Sequence, residues 1–404
     1  MKDESILKDN LTTSQIKEVA SLDLVEIINH LLSVLNPREQ DVLRRRYGLV
    51  GVEKETLESI GRAHKLTRER IRQIENVGVN KIKKNTNSQA LVGGLNTLIH
   101  DLLVEHGGVL DKEHLFKILA RLAELQNSNH KSSDYNNHLN FLISRIINDN
   151  LDQISEDQIF NDLIKLKEYT VNHLAEVATE ALDKISEAKL MVATDDLIDL
   201  ILKSESYRKH QSKFEVADKP DFSSYLKSSL SEYSGKVWPN RVVYGLIKSI
   251  KKLDQNKFGH WGHSSSREIL PKTINDKIYL VLKDHGKPMY YGDIAKRITE
   301  LGFDSKSVNT ATTHNELILD DKYVLVGRGM YGLKEWGYQN GTVADVVEAI
   351  LKAEASPMTK EALTNAVMKQ RLVKQTTINL ALMNKNRFKK TTDGKYTLVD
   401  NAKK

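Results

Sequence analysis

The chain contains no cysteine, which excludes disulfides, thiolate metal sites and a cysteine nucleophile and fits a cytoplasmic setting. It has no apolar run of the roughly 18 residues that a membrane helix needs. Its start, MKDESILKDNLTT, has no apolar stretch behind a basic flank, so a secretory signal is not expected. Clustered carboxylates for metal chemistry are missing too. Asp195-Asp196 and Asp320-Asp321 read as helix-cap and turn residues, because neighbouring side chains on a helix or strand diverge. The 13 histidines are scattered. His260 and His263, around Trp261, supply two nitrogens where zinc takes four ligands. The glycine-rich GHWG and GRGMYG segments lie between strands without a following lysine and helix, so they do not form a nucleotide cradle. No catalytic residue, metal, cofactor or small-molecule substrate is therefore assigned, and an enzyme is not expected.

What is present is an ordinary globular composition, 40% hydrophobic and 28% charged, in a chain long enough for two to four domains. The most informative stretch is 36–84, NPREQDVLRRRYGLVGVEKETLESIGRAHKLTRERIRQIENVGVNKIKK. Asn36, Pro37 and Glu39 make a helix start of cap, N1 proline and N3 acid, and Gly48 a stop after Tyr47. Thr56 caps a short helix whose Leu57, Ile60 and Ala63 share one face. His64, Lys65 and Leu66 form a turn. Thr67 caps a further helix with Ile71, Ile74, Val77 and Ile82 as its inward stripe. This is helix-turn-helix arithmetic.

The opposite face carries Arg68, Glu69, Arg72, Gln73 and Asn76. Such side chains read base edges: Arg forks onto guanine, Gln onto adenine, and Glu accepts from cytosine. Lys81, Lys83 and Lys84 suit phosphates. The stretch holds thirteen Lys and Arg against seven Asp and Glu, a net +6 that equals the charge of the whole chain. A basic helix alone is usually just a solvated face. Here turn spacing, double capping and charge coincide, and duplex DNA is the expected partner.

LNPREQDVLRRRYGL followed by TLESIGRAHKLTRERIRQIE resembles region 4 of the sigma-70 family of bacterial RNA polymerase sigma factors, over residues 28 to 85. The resemblance implies a helix that reads the promoter element 35 bases upstream of the start. Arg68, Glu69 and Gln73 would then read bases, with Arg62, Thr67, Arg70 and Arg72 as phosphate or positioning contacts. It also implies that the helices around Leu31 to Tyr47 dock on the flap of the polymerase beta subunit. About 35 residues precede the head, too few for the clamp-binding, promoter-melting domain of a complete sigma factor, so a regulator or auxiliary initiation subunit is expected.

The rest of the chain repeats one plan of helix, short apolar strand, helix, helix and hairpin. A polar N-terminus, 1–13, precedes helical periodicity from Ser14 to Leu35. After a break at 85–87 come a helix from Leu95 to His106, a turn at Gly107-Gly108, a helix capped by Asp111, a polar loop 127–137 and a helix from Leu139 to Ile147. A second copy begins at Val171 and finishes, after a polar insertion near 204–236, with Arg241–Ile250 and two short segments ending in FGHWG. The third runs from Asn275 through a helix at Lys306–Leu319 to the hairpin YVLVGRGMYGL, and the fourth from Val343 to strands joined at Asp393-Gly394. Pro288-Met289 and Pro357-Met358 sit 69 residues apart at equivalent places, as an internal duplication predicts.

Ile274–Tyr338, through GKPMYYGDIAKRI, HNELI and MYGLKEWGY, resembles the HARE-HTH winged-helix domain known from the polymerase delta subunit and from chromatin and restriction proteins. The predicted fold is mainly α: a helix-turn-helix at 1–87, winged-helix-like bodies at 88–165 and 166–268, a HARE-HTH winged helix at 269–338 and a C-terminal one at 339–404. Trp261, Tyr331 and Trp336 are expected to pack wings onto cores. Arg328, Lys389, Lys390 and Lys395 at the hairpin tips are candidates for minor-groove or phosphate contact, against a solvated turn or a protein contact. Two functions follow. One is a DNA-binding, sigma-factor-like transcription factor that also engages RNA polymerase. The other is a polymerase-associated, delta-like interaction protein without specific DNA binding.

Overall fold

The computed structural model describes residues 23–126, 132–147, 150–187, 191–216, 230–233, 235–304 and 307–399. They divide into two units, one holding the described residues up to Asp254 with His260–Ser264, the other Gln255–Gly259 and the described residues from Ser265 on. The chain is mainly helical with small antiparallel sheets. The segment expected to fray at the N-terminus, the start of the first helical stretch, the loop at 127–131 and residues 217–229 and 234 of the polar insertion lie outside the described residues.

The first unit opens with α1 (Leu24–Ser33), α2 (Pro37–Tyr47), α3 (Leu57–His64) and α4 (Arg68–Lys84). Asn36 and Glu39 form the reciprocal capping box of α2, and Gly48, at φ 66°, closes it in the left-handed conformation. Asn85 ends α4 and caps α5 (Thr86–Glu105) with its side chain. The break expected over 85–87 is thus one extended residue.

From α5 onward one succession occurs three times. In the first copy α5, β1 (Val109–Asp111), α6 (Lys112–Gln126), α7 (Ser132–Phe141) and a π turn over Leu142–Ile146 lead to β2 (Leu151–Ile154) and β3 (Leu163–Leu166). The early strand pairs with the last, Val109 opposite Lys165, giving the order β1-β3-β2. The loop expected to reach residue 137 is helical from Ser132, and the helix expected to 147 turns π at Leu142. In the second copy α8 (Asn172–Glu187), β4 (Val192–Ala193), α9 (Thr194–Leu202), α10 (Glu205–His210) and α11 (Arg241–Ser249) precede β5 (Leu253–Gln255) and β6 (His260–His263), in the order β4-β6-β5.

The second unit carries α12 (Ile274–His285), β7 (Met289–Tyr290), α13 (Tyr291–Leu301), α14 (Thr310–Leu319), β8 (Tyr323–Gly327) and β9 (Met330–Leu333), in the order β7-β9-β8. The helix expected from Lys306 begins at Thr310, where Asn309 caps it. α15 (Val343–Glu354), α16 (Lys360–Gln370) and α17 (Gln375–Leu382) then lead to the hairpin β10 (Phe388–Lys390) and β11 (Tyr396–Leu398), with Met358 bridging to Tyr396 in place of a full early strand.

One apolar cluster runs through the first unit from Leu24 to Trp261; separate clusters serve 278–333 and 346–388. Trp261 and Tyr331 are buried in these cores, and Trp336 packs against one. At Gly108, φ +80°, an added Cβ would lie 2.2 Å from the Tyr169 ring. Two residues earlier, His106 begins a buried polar chain. His106 Nδ1 is 2.8 Å from the Leu102 carbonyl, so that nitrogen carries the proton, and Nε2 accepts from the Tyr233 hydroxyl at 2.9 Å. The same hydroxyl oxygen then accepts from His114 Nε2 at 2.8 Å. Burial holds His106 neutral, its pKa down to about 4.

Two outcomes follow. Gly108→Ala, strained in both backbone and space, should lower unfolding free energy by about 2–5 kcal/mol in urea titration. The unfolded chain binds the His106 proton near its ordinary pKa while the folded chain does not. Stability of the first unit should therefore fall as pH drops from about 6.5 towards 4, by on the order of 3 kcal/mol from this group, and a His106→Gln variant should lose that slope.

Candidate nucleic-acid interface

Helices α3 and α4 meet through a turn that the backbone dictates. Lys65 ends α3 in the left-handed conformation at φ 55°, and Leu66 N donates to the Gly61 carbonyl at 2.9 Å. A Cβ on Gly61 would stand 2.7 Å from the Leu66 carbonyl oxygen, so the helix takes a glycine where the turn folds back on it. Thr56 and Thr67 cap α3 and α4 by accepting from Ser59 N and Arg70 N. Val42, Ile60 and Ile71 form a small buried cluster that fixes the angle between α2, α3 and α4.

The inward stripe of α4 differs from the expected one. Val77 is 48% exposed, while Ile71, Glu75, Gly78, Val79 and Ile82 are buried. These positions step by the four and three residues of a regular helix, and they include an acid. Glu75 accepts from the Tyr47 hydroxyl at 2.5 Å, with Arg145 at 3.7 Å and Arg46 at 4.0 Å. Burial and the neighbouring carboxylate push the Tyr47 phenol far above its ordinary range. Tyr47 also lies 4.8 Å from the Phe141 ring, Asn137 donates to the Gly48 carbonyl, and Val50 N donates to His138 Nε2. Helix α7 and its π turn thus clasp the head. A buried acid partnered 70 positions downstream leaves no hydrophobic-periodicity signal, so sequence reasoning missed Glu75 and Arg145.

On the outer side, Arg62, Thr67, Arg68, Glu69, Arg70, Arg72 and Gln73 are all exposed. Arg72 grips Glu69 with two hydrogen bonds, 2.9 and 2.6 Å, and Arg70 donates to Gln73 at 3.0 Å. The Arg72 guanidinium beside Glu69 holds that carboxyl below its usual range. These latches span one turn of an exposed surface, where ion pairs are weak and open readily towards a stronger ligand.

Other expected contacts are placed differently. Asn76 is half-buried and accepts from Arg145 at 3.0 Å, so it leaves the exposed row. Lys81 Nζ sits 2.6 Å from Glu39, the acid of the α2 capping box, which draws it towards α2. Lys84 is exposed and Lys83 half-buried. Along Leu31–Tyr47 the apolar side chains Leu31, Leu32, Leu35, Val42 and Leu43 are buried in the chain's own core, and the exposed surface offers Val34, Asn36, Pro37 and Arg38. The hairpin residues Arg328, Lys389, Lys390 and Lys395 are exposed and belong to the second unit. Asp195 and Asp196 lie in the first turn of α9, and Asp320 accepts from Lys322 N at its turn. Among the described residues no His, Asp and Glu group has the makings of a metal site, and no helix is long and apolar enough to cross a membrane.

This geometry is that of a helix-turn-helix. Residues 31–84 match the family model described as Sigma-70, region 4. Over 72 residues the chain is 51% identical to RNA polymerase sigma factor SigA1 of Synechococcus elongatus, a stretch that covers 18% of each protein. It is 49% identical over 72 residues to the sigma factor SigA of Microcystis aeruginosa and to that of Synechocystis, covering 18% of this chain and 17% of each relative. The chain thus spans under a fifth of the length of the curated relatives it matches. No solved structure matches it. The similarity to these sigma factors covers the helix-turn-helix head.

Because Glu75 is buried against Tyr47 and Arg145, Glu75→Ala should lower stability by about 2–4 kcal/mol by leaving those partners unmatched. Glu69→Gln, which opens only an exposed latch, should leave the thermal midpoint unchanged; both are read by calorimetry.

Proposed function

We propose that the chain is a sigma-factor-like, DNA-binding transcription protein that acts in transcription initiation or its regulation. In this reading α4 enters the major groove of an upstream, −35-type promoter element. Arg68, Glu69, Arg72 and Gln73 meet base edges, while Arg62, Thr67, Arg70, Lys83 and Lys84 lie at phosphates. The observation that carries it is the set of seven exposed polar side chains from Arg62 of α3 through the cap Thr67 to Gln73 of α4, backed by buried Ile71, Val79 and Ile82. The Arg72–Glu69 and Arg70–Gln73 latches are exposed and weak, so they open towards a base edge at little cost. The chain performs no chemistry of its own and works in the cytoplasm.

The order in which an early strand pairs with the last strand of a hairpin, found three times, is the topology we assign to tandem winged helices, with bodies at 88–165, 166–268, 269–338 and 339–404 and HARE-HTH character at 269–338. RNA polymerase is the second partner. Its beta flap would meet the Val34–Arg38 surface, since the apolar side of α1 and α2 is already covered. A polymerase-associated, delta-like interaction role without specific DNA binding is favoured by one observation: residues 85–338 hold 32 Lys and Arg against 35 Asp and Glu, too balanced to seek a polyanion.

Selection from a random duplex library should recover a motif like the upstream promoter hexamer. Arg68→Ala, Glu69→Ala and Gln73→Ala should each relax preference at one position at a cost of about 1–3 kcal/mol, with Lys83→Ala weakening all sequences alike. Duplex affinity unchanged by all four substitutions would reject the readout, and polymerase capture without duplex binding at moderate salt would favour the interaction protein.

A further inference from the structure

Net charge in this chain is gathered at two places. Residues 36–84 carry +6, and residues 339–404, with twelve Lys and Arg against six Asp and Glu, also carry +6. Residues 1–35 and 85–338 together offset one of these, which hides the second from a whole-chain count.

The fold then separates the cations of the C-terminal body by role. Arg387 pairs with Asp345 at 2.7 Å and Glu348 at 2.6 Å, and Lys352 takes Glu348 at 2.8 Å, so these two acids are occupied on α15. Arg371 is buried and donates to the carbonyls of Leu325, Gln339 and Gly341. What faces solvent from α17 through the hairpin is Lys374, Lys385, Lys389, Lys390 and Lys395, all exposed, with Asp393 as the single acid between them in sequence. Phe388 is buried and roots β10 in the core, whereas Lys389 and Lys390 follow it on opposite faces of the strand. Lys395 stands across the turn, where Thr391 N donates to its carbonyl. Cations therefore surround the projecting tip on both faces.

The preceding hairpin makes the contrast. Its tip carries Arg328, but Lys322 is tied to Asp320 at 3.2 Å, Leu325 is 46% exposed, and residues 274–338 hold nine Lys and Arg against nine Asp and Glu. No surplus of charge accompanies that tip.

We propose that the hairpin Phe388–Leu398, with Lys385, is a second binding surface for duplex DNA, which it grips by the phosphate backbone without regard to sequence. The proposal rests on the head's reading as a DNA binder only in taking duplex DNA as the polyanion. Lysine ammonium groups are point charges on flexible stems, suited to phosphates and unsuited to the forked readout of base edges. Spread over both faces of a narrow ribbon, they fit the two rims of a groove better than the flat, mixed surface of an acidic protein.

The test uses the full chain bearing Lys385→Ala, Lys389→Ala, Lys390→Ala and Lys395→Ala, with anisotropy titration of a random-sequence duplex over a range of salt. The expected result is affinity lower by roughly tenfold or more at low salt and a salt slope shallower by about 3 to 4, equal for every sequence, with the four Lys→Arg replacements retaining wild-type behaviour. Exposed side chains are exchanged, and an unaltered melting curve verifies the fold. Unchanged affinity and slope would overturn the proposal, as would a loss confined to binding of an acidic protein. The Arg68→Ala, Gln73→Ala double variant is run beside it. Lost sequence preference there with no hairpin effect sinks only the second surface, whereas a hairpin effect with preference untouched sinks only the head's readout.

Discussion

The arrangement of the first unit depends on one buried carboxylate. Glu75 points inward from the middle of α4, where a charge is costly unless its lone pairs are engaged. Tyr47 from α2 and Arg145 from the π turn after α7 converge on it. The same residue therefore orients the outer face of α4 and ties the helix-turn-helix to the body that follows. A leucine there would have packed as well but would not have selected the partner or its register. The buried acid adds specificity to a core otherwise held by Leu43, Val79 and Ile82.

Around that centre, polar side chains fix helix ends and apolar ones fix angles. Thr56, Thr67 and Asn36 each satisfy a backbone N–H at a helix start. Gly61 and Lys65 allow the chain to double back between α3 and α4 within three residues. The exposed face of α4 carries the short latches of Arg72 on Glu69 and Arg70 on Gln73. An exposed polar row and the buried anchoring side chains thus occupy opposite sides of one helix, linked through its backbone.

Much of this is legible in the sequence, and the residues show why. Caps and stops depend on local chemistry, so Asn36, Gly48, Thr56, Thr67 and Asp111 announce their roles within four residues. The exposed Arg68, Glu69, Arg72 and Gln73 follow from the helical period. The pattern fails at Val77, which hydrophobicity assigns to the inward stripe, because the actual stripe obeys the partners of Glu75. Asn76 and Lys81 left the outer face for the same reason: Arg145 and Glu39, distant in sequence, hold them. The turn from α to π at Leu142 and the abutment of α4 on α5 also depend on packing across the unit. The lysine-rich hairpin was visible residue by residue, but its significance was masked by acids elsewhere that cancelled it in the total.

The single residue that both terminates α4 and caps α5 has a mechanical consequence. Two long helices joined by one extended asparagine, the first also held at Glu75 and Asn76 by Arg145, have little freedom to swivel. A head seated on a duplex would then set the compass bearing of the β1-β3-β2 sheet relative to the DNA axis, as a bracket sets the direction of a beam. Inserting residues at Asn85 would change where that beam points while leaving the grip itself alone.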